Sequence, residues 1–174
     1  MPEVSKKGRV AAFVIFVGIF LAAFTIGTWY RMSEGEAKEF LAEFHSTTKG
    51  IGAVGIFMHN SSVALPMFVP GFGVAWGSFT GWETGAGFRV LLIENPQLSG
   101  LPPIAIFLAS PFGVMELVAY SIGISRSYLL AWTLIRRRPI RVMIRPTLIE
   151  IGIVLALLLV GGLVEYSMIR QSPA

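Results

Sequence analysis

Glu116 stands where a carboxylate is expensive. It lies in residues 101–124, an otherwise apolar stretch long enough to cross a bilayer, within the run Ser110-Pro111-Phe112-Gly113-Val114-Met115-Glu116. An ionisable group at the centre of a spanning helix costs about 2.5–3.5 kcal/mol on insertion scales, so it normally faces a partner, a cavity or the bundle interior. Two neighbouring apolar stretches carry polar groups at comparable depth. One holds His59, Asn60, Ser61 and Ser62, the other Glu83, Thr84 and Arg89. We expect His59, Asn60, Glu83 and Glu116 to meet in one interior cluster, with Asn60 the first partner of Glu116. Such a cluster is either a hydrogen-bonded plug that fixes the helix contacts or a proton or ion path.

No reaction centre accompanies these residues. The chain has no cysteine and no aspartate. That excludes thiolate metal sites, Cys nucleophiles and any pair of membrane aspartates. There is no His-Glu-x-x-His helix and no Walker loop, and Gly71-Phe72-Gly73 is too short for a nucleotide fingerprint. The expectation is a protein that is not an enzyme, with no metal and no cofactor.

The elements that must hold the cluster follow from composition. Of 174 residues, 54% are hydrophobic and only 14% charged, with a mean hydropathy of +0.70. Soluble domains carry about 25% charged residues. Several apolar runs of roughly 20 residues suit a hydrocarbon layer about 30 Å thick. The expected fold class is all-α: one polytopic membrane helix bundle forming a single domain over residues 1–174. Five transmembrane helices are expected, at about 10–30, 50–69, 71–93, 101–124 and 147–168. The first follows Lys6, Lys7 and Arg9, exceeds a signal-peptide core in length and ends at Trp29 and Tyr30, so it reads as an uncleaved span. Pro66 and Pro70 predict a kink or break between the second and third spans.

Charge sets the orientation. The net charge is +4; in a membrane chain this marks cytoplasmic loops and lipid headgroups rather than nucleic acid. Lys6, Lys7 and Arg9 form one basic segment, and six arginines between Arg126 and Arg145 with no acid among them form another. Residues 31–49 mix Arg31, Lys38 and Lys49 with Glu34, Glu36, Glu39 and Glu43. Five spans put the amino terminus in the cytoplasm and the carboxyl terminus outside, in the cell membrane. Two amphipathic helices are expected at the interfaces. The outer one starts at a Ser33–Glu36 capping box and carries Phe40, Leu41 and Phe44. The inner one covers 128–135 and ends in Arg136, Arg137 and Arg138. Glu150 is close enough to this basic segment to pair with an arginine, and Glu165 sits near the outer interface.

Gly73, Gly77, Gly81 and Gly85 recur every four residues along the third span. Such a stripe lets another backbone approach closely, from within the chain or from a partner. The whole arrangement resembles the stage II sporulation protein M family of integral membrane proteins with about five spans. Asn60 matches its second-span asparagine, and Gly85 and Gly87 match glycines of its third span. Pro111, Gly113 and Glu116 match its Pro-His-Gly motif followed three residues later by glutamate, and Glu165-Tyr166 the glutamate and aromatic closing its last span. The chain departs from that pattern at Phe112, where the family has histidine, at Ser61 and at Thr84. The resemblance implies a non-enzymatic membrane component, in sporulating bacteria a partner of cell-wall-degrading proteins at an engulfing membrane. The expected function is a non-catalytic subunit that scaffolds or anchors a larger membrane assembly. Its partners would be the lipid bilayer and either other membrane proteins or further copies of itself. The alternative is a small ion, proton or solute transporter built on the polar cluster.

Overall fold

The computed structural model describes residues 5–48, 51–94 and 100–171. Lys49, the expected start of the second span at Gly50 and the link 95–99 lie outside them. The described residues form seven α-helices and no strand. These are α1 (Lys6–Gly27), α2 (Glu34–Thr48), α3 (Ala53–Ala64), α4 (Phe72–Glu94), α5 (Pro103–Ala109), α6 (Pro111–Ile135) and α7 (Arg141–Gln171); a 3-10 turn, Leu65–Phe68, prolongs α3. Helices α1 and α7 are long and apolar enough to cross a membrane, and α5 with α6 makes a third candidate, bent by 93°. Helix α4 has the length but carries Glu83, Arg89 and Glu94, whereas α3 with its turn is apolar but short.

The fourth stretch corrects the sequence reading. Instead of one helix over 101–124, the chain turns a corner at Ser110, whose extended backbone ends α5 and caps α6. Ser110 Oγ accepts from the Gly113 N–H at 3.2 Å and donates to the Phe107 carbonyl at 2.8 Å. Pro111 occupies the first helical position, where a missing N–H costs nothing. From there α6 runs unbroken to Ile135, so residues 128–135 are its last turns and not a separate interfacial helix. Nothing in 120–135 stops a helix, and Leu129 and Leu130 are buried in a cluster with Ala12 of α1 and Met143 of α7. Tertiary contact therefore absorbs the segment that amphipathicity alone would lay flat.

Helices α1 and α4 run side by side in the same direction. Phe20 of α1 lies against Gly81 and Phe24 against Gly85, and a Cβ on Gly85 would overlap the Phe24 carbonyl. Reciprocally, Gly27 of α1 is seated on the backbone of Trp82. The other two glycines of the stripe face elsewhere, because successive i, i+4 positions drift about 40° around a helix with 3.6 residues per turn. Gly77 lies under Ile124 of α6, and Gly73 is closed by the Met67 backbone of the 3-10 turn. The stripe is filled from within the chain by three neighbours. Arg89 Nη1 then donates to the Thr28 carbonyl at 3.0 Å, placing a cation at the carboxyl end of α1, where the helix dipole favours it.

The break between α3 and α4 is tied into α6. Pro66 has no N–H to donate back into its helix, and the Val63 carbonyl accepts from Trp76 Nε1 at 2.9 Å. Gly71 takes a left-handed φ of 77°, which glycine adopts without cost. Beside it Ser127 Oγ donates to the Val69 carbonyl at 2.6 Å.

At the same end of the bundle one carboxylate binds two guanidiniums. Glu150 of α7 accepts from Arg9 of α1 at 2.7 and 3.0 Å, and from Arg126 Nε of α6 at 2.7 Å. Arg126 Nη2 also reaches Glu150 Oε1. Arg9 Nη1 donates in addition to Ser125 Oγ at 2.8 Å. Arg126 is only 4% exposed, so without Glu150 it would be a buried, unpaired charge. Breaking such a pair by removing one partner costs about 3–5 kcal/mol. Glu150→Gln is expected to lower the thermal unfolding midpoint in detergent far more than Arg9→Gln, because Arg9 is the more exposed arginine. Wild-type midpoints in both variants would show that the three-helix pin carries no stability.

Helix α2 opens on Ser33 as expected. The Ser33 N–H and Oγ donate to Glu36 Oε2 at 2.7 and 2.8 Å, and Tyr30 Oη donates to Glu36 Oε1 at 3.1 Å. The Phe40 ring lies over Gly87, holding α2 against α4. Hydrogen bonds from Ser33, then from Tyr30, hold the Glu36 carboxyl below its ordinary pKa of 4.5. Because the folded value is depressed, the cap is complete above pH 4.5 and is lost as pH falls through the lower folded value. In a carboxyl-carbon NMR titration Glu36 should show a midpoint below 4.5, and Ser33→Ala should raise it. An unshifted midpoint in the wild type would refute the cap.

Candidate functional site

The end of the bundle opposite the Arg9–Glu150–Arg126 pin contains a cavity of about 420 Å³. It lies between α2, α3, α4, α6 and α7. His59, Asn60, Glu83 and Glu116 all line it. At its centre Asn60 Nδ2 donates to Glu116 Oε1 at 2.8 Å, joining α3 to α6. Asn60 is buried, 8% exposed, whereas His59 and Glu83 are exposed and form the rim. Glu116 Oε2 accepts no hydrogen bond among the described residues.

Local structure explains the placement. The corner at Ser110 starts α6 afresh, so Glu116 falls in its second turn. That puts it roughly 10 Å from the helix midpoint at 1.5 Å per residue, rather than near the midplane of a span over 101–124. The shift brings Glu116 level with Glu165, in the last third of α7, which also lines the cavity. The corner is anchored by Phe107 of α5, which stacks on Phe24 at 4.9 Å and meets Phe88 edge-on at 5.7 Å.

Pro111 and Gly113 build the corner and do not line the cavity. A Cβ on Gly113 would collide with Ser110 Oγ and the Phe107 carbonyl, so the residue is small because the cap needs the room. Gly73, Gly77, Gly81 and Gly85 are buried in helix contacts and contribute no group to the site.

Two titratable lining residues escape the sequence reading. Tyr120 is 5% exposed, and its hydroxyl makes no hydrogen bond among the described residues. Its spacing of four from Glu116 places both on one face of α6, and that was the available signal. Glu43 of α2 is the other, one of four glutamates in the segment expected to lie as an amphipathic helix on the outer interface.

The two threonine hydroxyls of the wall are already occupied. Thr80 and Thr84 hydroxyls donate to the carbonyls four residues back, at 3.0 and 2.7 Å. The cavity is therefore rich in carboxylate oxygens and poor in free donors. No group of three or more His, Asp or Glu side chains among the described residues is close enough together to hold a metal ion. No protein-family model matches the chain, and no curated protein or solved structure matches it either.

Glu116→Gln preserves an oxygen acceptor for Asn60, so its unfolding midpoint should stay near wild type. Glu116→Leu leaves the Asn60 amide buried without a partner, a loss of about 1–3 kcal/mol. Thermal unfolding of both variants in one detergent measures the difference, and a harmless Leu would show the Asn60–Glu116 bond to be dispensable.

Proposed function

We propose that this chain is a multi-pass membrane protein of five crossings that binds a cation in its acidic cavity and carries it across the bilayer. The observation that carries the reading is the cavity ending on Glu116 and Tyr120, with close packing beyond. Deeper in α6, Ile124 and Ser125 are fully buried, and the far end is closed by the arginine–glutamate pin. A cavity open from one end and closed at the other is what a carrier needs and a static pore does not have. Binding near breaks in helices is the common arrangement in transporters, and here the breaks are the Ser110 corner and the 3-10 turn after α3.

The five crossings are α1, α3 with its turn, α4, α6 and α7. Helix α3 supplies about 18 Å at 1.5 Å per residue and its turn about 8 Å at 2.0 Å, close to a hydrocarbon thickness of about 30 Å. The shared direction of α1 and α4 suits an α3 that returns between them. The exposed Arg136, Arg137 and Arg138 mark their end as cytoplasmic under the positive-inside rule, which puts the cavity on the outer side of a cell membrane. The residues behind the resemblance to the stage II sporulation protein M family gather at that outer end: Asn60, Glu116 and Glu165 in the cavity, Pro111 and Gly113 at its corner.

A second reading keeps the chain as a non-catalytic subunit anchoring a larger membrane assembly. The exposed arginine turn after α6 favours it, as a face for an acidic partner. The glycine stripe no longer does, since it is filled internally. Purified protein in proteoliposomes should support saturable cation uptake that Glu116→Gln reduces at least several-fold while leaving the unfolding midpoint unchanged. Absence of flux together with stable copurification of other membrane chains would establish the subunit reading instead. A carboxyl-terminal reporter tag should report from outside; a cytoplasmic tag would refute the five crossings.

A further inference from the structure

The chemistry of the cavity wall narrows what it holds. Its carboxylates, Glu116 and Glu165 among them, are acceptors, and most donors beside them, His59 and Tyr120 excepted, are already engaged. The Asn60 amide serves Glu116 at 2.8 Å, and the Thr80 and Thr84 hydroxyls serve their own helix. Trp76 donates its indole N–H to Val63, so what it offers the cavity is its ring. Phe40 and Phe88 add two more aromatic side chains. Tyr120, 5% exposed and one helical turn from Glu116, brings to the wall a hydroxyl that makes no hydrogen bond among the described residues. A wall on which the carboxylates of Glu43, Glu83, Glu116 and Glu165 outnumber the donors His59 and Tyr120, and which also carries aromatic rings, favours cations over anions, through charge and through the ring quadrupole.

The cavity is larger than a bare ion would fill. The volume of about 420 Å³ lies in the range of small-molecule sites, roughly 300–1,000 Å³. The carboxylates do not converge as a metal-ion shell would require. We infer that the cavity is a binding site for an amphipathic organic cation, an alkyl- or arylammonium compound whose charged head lies between Glu116 and Glu165 and whose apolar body lies against Trp76 and Phe88. This rests on the reading of the cavity as a cation site and names its ligand class.

The test uses the full-length protein in detergent and benzyltrimethylammonium as probe, followed by calorimetry and by tryptophan fluorescence. Saturable binding is expected, with neopentylbenzene, its neutral isostere, binding at least tenfold more weakly. Sodium at equal concentration should not compete. Glu116→Gln and Glu165→Gln should each weaken binding roughly tenfold, which is about 1.4 kcal/mol. Glu34→Gln, on the exposed first turn of α2, should leave it unchanged. Unfolding midpoints confirm that each variant is folded. Equal affinity for the neutral isostere would reduce the site to an apolar hole and overturn the inference, as would no binding to folded protein or full competition by sodium. Binding without flux in proteoliposomes would uphold the ligand class and sink the carrier. Flux of small cations without probe binding would do the reverse.

Discussion

Glu150 is the group on which the rest of the bundle depends. One carboxylate accepts from Arg9 and Arg126 together and so fixes α1, α6 and α7 to one another at a single level. In a membrane setting apolar side chains gain little by leaving lipid for protein, so helices are held by close contact and by polar bonds. Charged groups at this depth cost too much to remain unpaired. The arrangement has a net positive charge of one, and Arg9 sends its surplus donors to Ser125 Oγ and the Ile122 carbonyl. Those bonds set the rotation of α6 about its own axis. Once that rotation is set, the face bearing Glu116 and Tyr120 must look toward α3 and α4.

The breaks in the helices then decide depth. A continuous helix over 101–124 would have carried Glu116 to the middle of the bilayer with no void beside it. The corner at Ser110 restarts the helix with its own cap, and the Ser110 and Gly113 N–H groups are met locally, by the last turn of α5 and by Ser110 Oγ. The same requirement explains Trp76 on Val63 and Ser127 on Val69 at the other break. Irregular backbone is tolerated inside a membrane protein only where such partners exist or where it lines a cavity. Here both conditions hold within one small fold, and the cavity is bounded by the two helices that the breaks displace.

This division explains what was legible in the sequence. Helices α1 and α7 are long, uninterrupted apolar runs, and the Ser33–Glu36 box announces α2; these are local signals and they read correctly. The gathering of His59, Asn60, Glu83 and Glu116 rested on cost, since polar groups at depth need company. Three features stayed hidden because their causes are not local. Ser110-Pro111 is compatible with a mild kink or with a new helix start, and only the burial of Phe107 among Phe20, Phe24 and Phe88 selects the 93° corner. Glu150 was legible as the partner of an arginine in the basic segment, and Arg126 fills that place, but nothing local shows that Arg9, more than a hundred residues back, shares the same carboxylate. The glycine stripe names close contact but not with whom, and drift around the helix shares it among α1, α6 and the 3-10 turn.

The two polar sites are built on opposite logic. Within the arginine pin each buried charge is answered: Glu150 by two guanidiniums, and Arg126 by two carboxylate oxygens. At the α2 end acceptors outnumber donors, Glu116 Oε2 and the Tyr120 hydroxyl are left without partners, and the space beside them is empty of side chains. A chain that needed polar groups there only to fix its helices would have matched them, as it does with Glu150. The carboxylates also gain nothing from helix dipoles that would make them cheap. Glu116 lies past the first turn of α6, and Glu165 lies in the last third of α7, where a negative charge is disfavoured. Their cost is offset only if something positive occupies the space between them. That requirement is the physical ground for the cation site we propose.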